Sequence, residues 1–195
     1  MVVVRDPVAD GASATVRRIL DVVVEILESD GYDAVQLREV ARRSRSSLAT
    51  VYKHYANRDE LILAALQRWM DENRYSGLSE RVGEDGESLY DGLVRLFRAL
   101  FEPWEKHPGM LTAFFRARSS PGGQRLLHQG MDAVVPAARE ILADVDEQFI
   151  ADFGAVMSNV VYGSLGRYAA GEIAITDIVP AIERTVFWMT RGYQA

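Results

Sequence analysis

Between Val35 and Arg58 six cations (Arg38, Arg42, Arg43, Arg45, Lys53 and Arg58) stand against one acid, Glu39, in a chain whose net charge is −6. A local reversal of sign of this kind suits phosphate neutralisation, which drives nucleic-acid binding. Interleaved with the cations are hydrogen-bonding groups. Tyr52 and His54 suit phosphate oxygens, and Ser47, Thr50 and Lys53 have the reach for base edges. The same charges also suit a solvated, charged helix pair on an ordinary bundle, the commoner meaning of a charge run. Catalytic chemistry has no comparable set. The sequence has no cysteine, which excludes disulfides, thiolate metal sites and cysteine catalysis. His54, His107 and His128 fall at no metal-ligand spacing, no glycine-rich phosphate loop follows a strand, and no G-x-S-x-G elbow occurs. Nothing in the order of residues gathers a carboxylate pair in an apolar pocket. Neither an enzyme nor a bound cofactor is expected.

The elements that must position these groups are two short helices. Leu37, Val40 and Ala41 lie on one helix face, and Leu48, Val51 and Tyr55 on another. Between them Ser44-Arg45-Ser46-Ser47 is polar and rich in capping residue types. The second helix then presents Thr50, Tyr52, Lys53 and His54 outward. This is a helix-turn-helix whose second helix fits a major groove.

The run from Ile19 to Leu66 resembles the DNA-binding domain of TetR-family transcriptional regulators. The resemblance is carried by Ile19-Leu20-Asp21, Gly31-Tyr32-Asp33-Ala34, Leu37-Arg38-Glu39-Val40-Ala41, Thr50-Val51-Tyr52-Lys53-His54-Tyr55 and Asn57-Arg58-Asp59-Glu60-Leu61. It implies an all-helical homodimer that binds double-stranded operator DNA, with a C-terminal small-molecule sensor and with Arg58 as a phosphate contact. Within the family, Gly31 to Arg38 is similar to regulators of actinobacterial steroid catabolism, which respond to sterol-derived ligands including coenzyme A thioesters. A hydrophobic drug or a fatty acyl effector stays open. The chain departs from the family at the turn, where Arg45-Ser46 replace the usual Gly-Val, and at Gln36, which replaces a capping Thr. A left-handed Arg45 costs about 1 kcal/mol, and a phosphate contact is a reason to keep it. The altered turn also sustains a rival reading, a helical ligand-binding carrier that has lost specific DNA binding.

The rest of the chain reads as all-α, about nine helices, with a three-helix DNA-binding domain over residues 13–60 and a helical-bundle ligand-sensing and dimerisation domain over 61–195. Residues 1 to about 12 read as a flexible arm, with Ser13 or Thr15 capping a first helix whose stripe is Val16, Ile19, Leu20, Val23 and Leu27. Gly31 stops it. Asn57 caps a longer helix, and the glycine-bearing stretch from Tyr75 to Glu87 reads as a boundary loop. Beyond it, aromatic-rich periodic segments are broken at His107-Pro108-Gly109 and Ser119 to Gly123. The large inner-face side chains Phe97, Phe101, Trp104, Met110, Phe114, Phe115, Met131, Met157 and Val160 are candidate walls for an elongated, mostly apolar effector. Arg167 is the candidate anchor for its polar end; plain core and a cation near a helix C-terminus are the competing readings.

From Phe149 to Ala170 apolar or small residues occur nearly all round, so this helix needs two buried faces. The final helix, with Ile175, Ile178, Val179, Ile182, Val186 and Met189, also projects Phe187 and Trp188 from other faces. A homodimer interface is therefore expected on Ser158, Tyr162, Leu165, Gly166, Ala169, Ile182, Val186 and Met189. No run approaches membrane-spanning length, and a cytoplasmic location without a membrane partner is expected.

Overall fold

The computed structural model describes residues 7–78 and 87–193, with side chains from residue 13 onward. Within these residues the chain is all-helical. It contains α1 (Pro7–Ser29), α2 (Leu37–Arg43), α3 (Leu48–His54), α4 (Arg58–Met70), α5 (Leu89–Lys106), α6 (Pro108–Ala117), α7 (Gln124–Ile141), α8 (Glu147–Ala169) and α9 (Ile178–Tyr193). Short 3-10 turns occur at Tyr32–Ala34 and Ile175–Asp177, and a π-helical turn at Asp71–Tyr75.

Two local readings change. Part of the expected N-terminal arm, residues 1–6, lies outside the described residues, but from Pro7 the chain is already α1. Ser13 and Thr15 are therefore interior residues rather than caps, and the Thr15 hydroxyl accepts a hydrogen bond from Arg18 at 3.3 Å. The boundary loop begins later than Tyr75. The π-helical turn there is closed by the Ser76 N–H donating to the Asp71 carbonyl at 2.9 Å. Residues 79–86 of the same stretch lie outside the described residues.

The helices form two compact units. The first joins Met1–Trp69 to Gly109–Leu126, and the second joins Met70–Pro108 to Leu127–Ala195. In the first, the α1 stripe of Ile19, Val23, Ile26 and Leu27 is buried, as are Leu61, Ile62, Leu63 and Leu66 of α4. Full burial of such a side chain contributes about 1.5–3 kcal/mol. α6 belongs to this unit although it follows α5 in the chain. At Gly109 an added Cβ would meet Glu28 Cα and the Leu27 carbonyl at 2.9 Å, so only glycine lets α6 approach the end of α1 this closely. Met110, Leu111, Ala113 and Phe114 are then buried along it.

In the second unit Ser88 caps α5, accepting from the Asp91 N–H at 3.2 Å. Its Leu93, Leu96, Leu100 and Trp104 are buried, together with Phe153, Met157 and Leu165 of α8 and Ile178, Val179, Ile182 and Val186 of α9. This corrects part of the expected dimer surface. Leu165, Ile182 and Val186 face their own core, because the regular stripe of an amphipathic helix goes first to its own unit. Ser158, Tyr162 and Ala169 are exposed, and Gly166 and Met189 are half-buried. Among the described residues no helix is long and apolar enough to cross a membrane.

Candidate DNA interface and effector site

α2 and α3 are each only seven residues long, too short to be stable alone. Val40, Ala41, Val51 and Tyr55 anchor them by burial. The link between them closes as a Schellman motif: the Ser46 N–H donates to the Ala41 carbonyl at 2.9 Å and the Arg45 N–H to the Arg42 carbonyl at 3.3 Å. The motif requires a left-handed residue after the cap. Arg45 supplies it at φ 53°, the only non-glycine positive φ among the described residues. Ser46 beneath the turn is half-buried, and its hydroxyl lies 3.5 Å from the Ser44 carbonyl. Ser47 then caps α3, its hydroxyl accepting from the Thr50 N–H at 2.9 Å and sharing a hydrogen bond with the Thr50 hydroxyl at 2.7 Å. Gln36 makes no side-chain cap to α2 and stays exposed.

The charges sort into two groups. Arg42 grips Glu39 at 2.6 and 2.8 Å, and Arg43 bridges Glu39 at 2.7 Å and Asp30 at 2.9 Å. Hydrogen bonds from Arg42, then from Arg43, hold the Glu39 carboxyl down at about 2. The patch is thus less cationic in effect than its composition suggests. Arg38, Arg45 and Lys53 are exposed and make no ion pair among the described residues. With Tyr52, which is 53 % exposed, and His54, they form the open face of the motif.

Arg58 corrects an expectation. Its guanidinium turns inward, donating to the Val35 carbonyl at 2.6 Å and to the Tyr32 carbonyl. It also lies 4.8 Å from the centre of the Tyr32 ring. Arg116 of α6 stands 4.4 Å from the same ring and holds Asp33 through two bonds of 2.8 Å. The bonds from Arg116 lower the Asp33 pKa, while burial raises that of Tyr32. Two cations clasping one ring fix the turn that leads into α2, so Arg58 braces the reading head. α4 starts as expected, with Asn57 accepting from the Glu60 N–H at 2.9 Å.

The expected effector walls are divided between the two units. Met110, Phe114 and Phe115 belong to the first unit, and the others to the second. Phe115 lies under Arg118, 4.3 Å from its guanidinium. In the second unit Phe97 sits 6.5 Å from Phe101 and 6.4 Å from Phe153, and Phe101, Trp104 and Met157 are buried. Val160 is half-buried. Met131 is 61 % exposed, so the packing of this chain does not enclose it as a wall. Arg167 is exposed and pairs with Glu172 at 3.1 Å, so it anchors nothing inside the unit. An open recess of about 360 Å³ lies along α5, lined by Asp91, Val94, Arg95, Arg98, Ala99 and Glu102. It is charged, and Glu183 already engages Arg98 at 2.5 Å.

A buried cation of the second unit was missed in the sequence. Arg74 is only 9 % exposed and sits in the π-helical turn. Its Nε donates to the Leu100 carbonyl at 2.8 Å and its Nη1 to the Tyr75 hydroxyl at 3.1 Å, with the Met70 sulfur at 3.6 Å. The guanidinium lies 4.4 Å from the Trp104 ring centre. The signal was there: Leu66, Met70 and Arg74 are spaced by four, which continues the buried face of α4 past its end.

Residues 19–65 match the model for bacterial regulatory proteins of the tetR family, and residues 86–189 match the tetracyclin repressor-like C-terminal domain. The chain belongs to the TetR family. It is a DNA-binding transcriptional regulator, in a family that is not one of enzymes. This TetR-family chain is 26 % identical over 176 residues to the HTH-type transcriptional repressor KstR of Mycolicibacterium smegmatis, covering 87 % of this chain and 84 % of that one. It is 30 % identical over 102 residues to the regulator YvkB of Bacillus subtilis, covering 52 % of this chain and 51 % of that one. A TetR regulator from Mesorhizobium loti superposes with a TM-score of 0.70 at 14 % identity, over 93 % of this chain and 98 % of that one. One from Rhodococcus sp. RHA1 gives 0.65 at 17 %, over 89 % and 95 %. These two likenesses are of fold.

Proposed function

We propose that this TetR-family regulator is a repressor that reads operator DNA as a homodimer and is released by an apolar small molecule, steroid-like or acyl-thioester-like. The observation that carries the reading is the open face of α2 and α3: Arg38, Arg45 and Lys53 without ionic partners among the described residues, beside exposed Tyr52, on a helix pair fixed by a Schellman turn and a serine cap. Repression is carried over from the M. smegmatis relative.

Pairing of two copies is supported by what α8 and α9 leave uncovered. Val156 is 40 % exposed, Tyr162 51 % and Trp188 68 %. Gly154, Gly163 and Gly166 interrupt α8, yet a Cβ at any of them meets no atom within 4 Å. Each glycine costs a helix about 1 kcal/mol against alanine, and this chain's own packing does not demand it. Close approach of a second copy does.

The test is a mobility shift on the DNA flanking the gene, titrated with salt. The binding constant should fall steeply, with a logarithmic slope of roughly −0.9 per phosphate neutralised. Binding indifferent to sequence at every salt concentration would leave only the carrier reading.

A further inference from the structure

Arg74 is the one cation described in the second unit that is nine-tenths buried, and among the described residues no carboxylate meets it. Its nearest neighbours are a carbonyl, a phenol, a thioether and the rings of Trp104, Tyr75 and Phe101, whose centres lie 4.4, 5.1 and 6.0 Å away. Burying a guanidinium is costly unless a counter-charge accompanies it. Ring faces offset part of that cost. Three of its five N–H groups are directed at the Leu100 carbonyl, the Tyr75 hydroxyl and the Met70 sulfur. The hydrogen bonds of Arg74 to the described residues run through Nε and Nη1, and none runs through Nη2.

The position is also unusual. The turn Asp71–Tyr75 is π-helical, a geometry that concentrates at functional sites. The carbonyl that Arg74 holds belongs to Leu100, next to Ala99, whose intrahelical partner Pro103 removes. A plain core position here would suit leucine or methionine at no desolvation cost.

We infer that Nη2 of Arg74 is the seat for the carboxylate of an effector whose apolar body lies against the Trp104 and Phe101 rings. A carboxylate is chosen over other anions because it is planar, accepts two parallel N–H bonds from one guanidinium, and brings the single charge the site lacks. The inference rests on the reading that the second unit takes a small molecule, and it narrows that molecule to an apolar monocarboxylic acid. A thioester of the same body lacks the group that would sit there.

The experiment measures binding to the full-length protein by isothermal titration. The probes are oleic acid and a C24 steroid acid, each beside its methyl ester, and oleoyl-coenzyme A. At least one acid should bind about tenfold or more tightly than its ester. That preference should vanish in Arg74→Met and persist in Arg167→Gln. Equal binding of acid and ester, binding of neither, or binding of the thioester alone overturns the inference. So does a preference that survives Arg74→Met, its fold checked by circular dichroism. If that variant does not fold, the acid-to-ester ratio of the unaltered protein decides by itself. An acid that binds through Arg74 but leaves operator DNA bound supports the seat and counts against effector release. An operator released equally by acid and ester keeps effector release and removes the seat.

Discussion

Two faces of this molecule are left open, and they are built from opposite materials. The face of α3 shows Tyr52, Lys53 and His54 over a buried Val51. The face of α8 and α9 shows Val156, Tyr162 and Trp188 with glycines between them. Both belong to amphipathic helices whose other sides are buried, so neither is exposed for want of a core. The difference lies in what each can lose to water. Cations with no acid to hold them give up counterions on meeting phosphate. Apolar rings and bare backbone gain only from another apolar surface. One chain therefore carries a surface suited to DNA and an apolar surface, and under the proposed pairing the second sets how many copies of the first meet the operator.

The largest effect should come from breaking the apolar face. In Tyr162→Asp the dimer is expected to dissociate by sedimentation velocity. Operator affinity should then drop by about a hundredfold to ten-thousandfold, because two half-site contacts no longer act together. Unchanged sedimentation would show that pairing uses another surface. Next in size is the cationic face. Lys53→Ala should weaken operator binding about tenfold or more per half-site and leave the melting temperature alone. An equal loss on operator and random DNA would make Lys53 a phosphate contact instead of a base reader.

Arg58 separates reading from bracing. Arg58→Ala removes the guanidinium donor from the Val35 carbonyl and leaves the Tyr32 carbonyl only the Val35 N–H, which costs about 1–3 kcal/mol of stability, and should lower the melting temperature where Lys53→Ala does not. If stability holds while DNA affinity falls, Arg58 is a phosphate contact after all. This residue also marks what the sequence could and could not tell. The helix-turn-helix was legible because its signals are local: apolar residues three and four apart, a serine at the cap, a polar turn. The partners of Arg58 lie 23 and 26 residues away, at distances no short-range pattern covers. Arg74 was missed although its spacing from Leu66 and Met70 is legible, because the Leu100 carbonyl that it meets lies 26 residues away. Ile182 and Val186 were misassigned for another reason. A helix apolar on two sides gives its stripes without saying which one its own unit will take, and Arg167 on α8 shared that ambiguity.

The smallest effect tests how the open polar face is held in place. α1 and α2 both end on a left-handed residue, Gly31 at φ 84° and Arg45 at φ 53°. Gly31 adopts this conformation freely, whereas a side chain there is strained by about 1–2 kcal/mol. Arg45→Gly removes the strain but adds glycine's larger entropy loss on folding, so a net stabilisation of up to about 1 kcal/mol is expected in urea denaturation. Stability alone would then favour glycine. If the guanidinium earns its place by touching a phosphate, the same variant should bind operator more weakly, and the salt slope should shrink by about one per half-site. A variant that is more stable and binds with the same slope would make Arg45 a tolerated departure, leaving Lys53 and Arg38 as the cations that meet the backbone. One that is less stable would mean that the Schellman turn draws support from the arginine side chain itself.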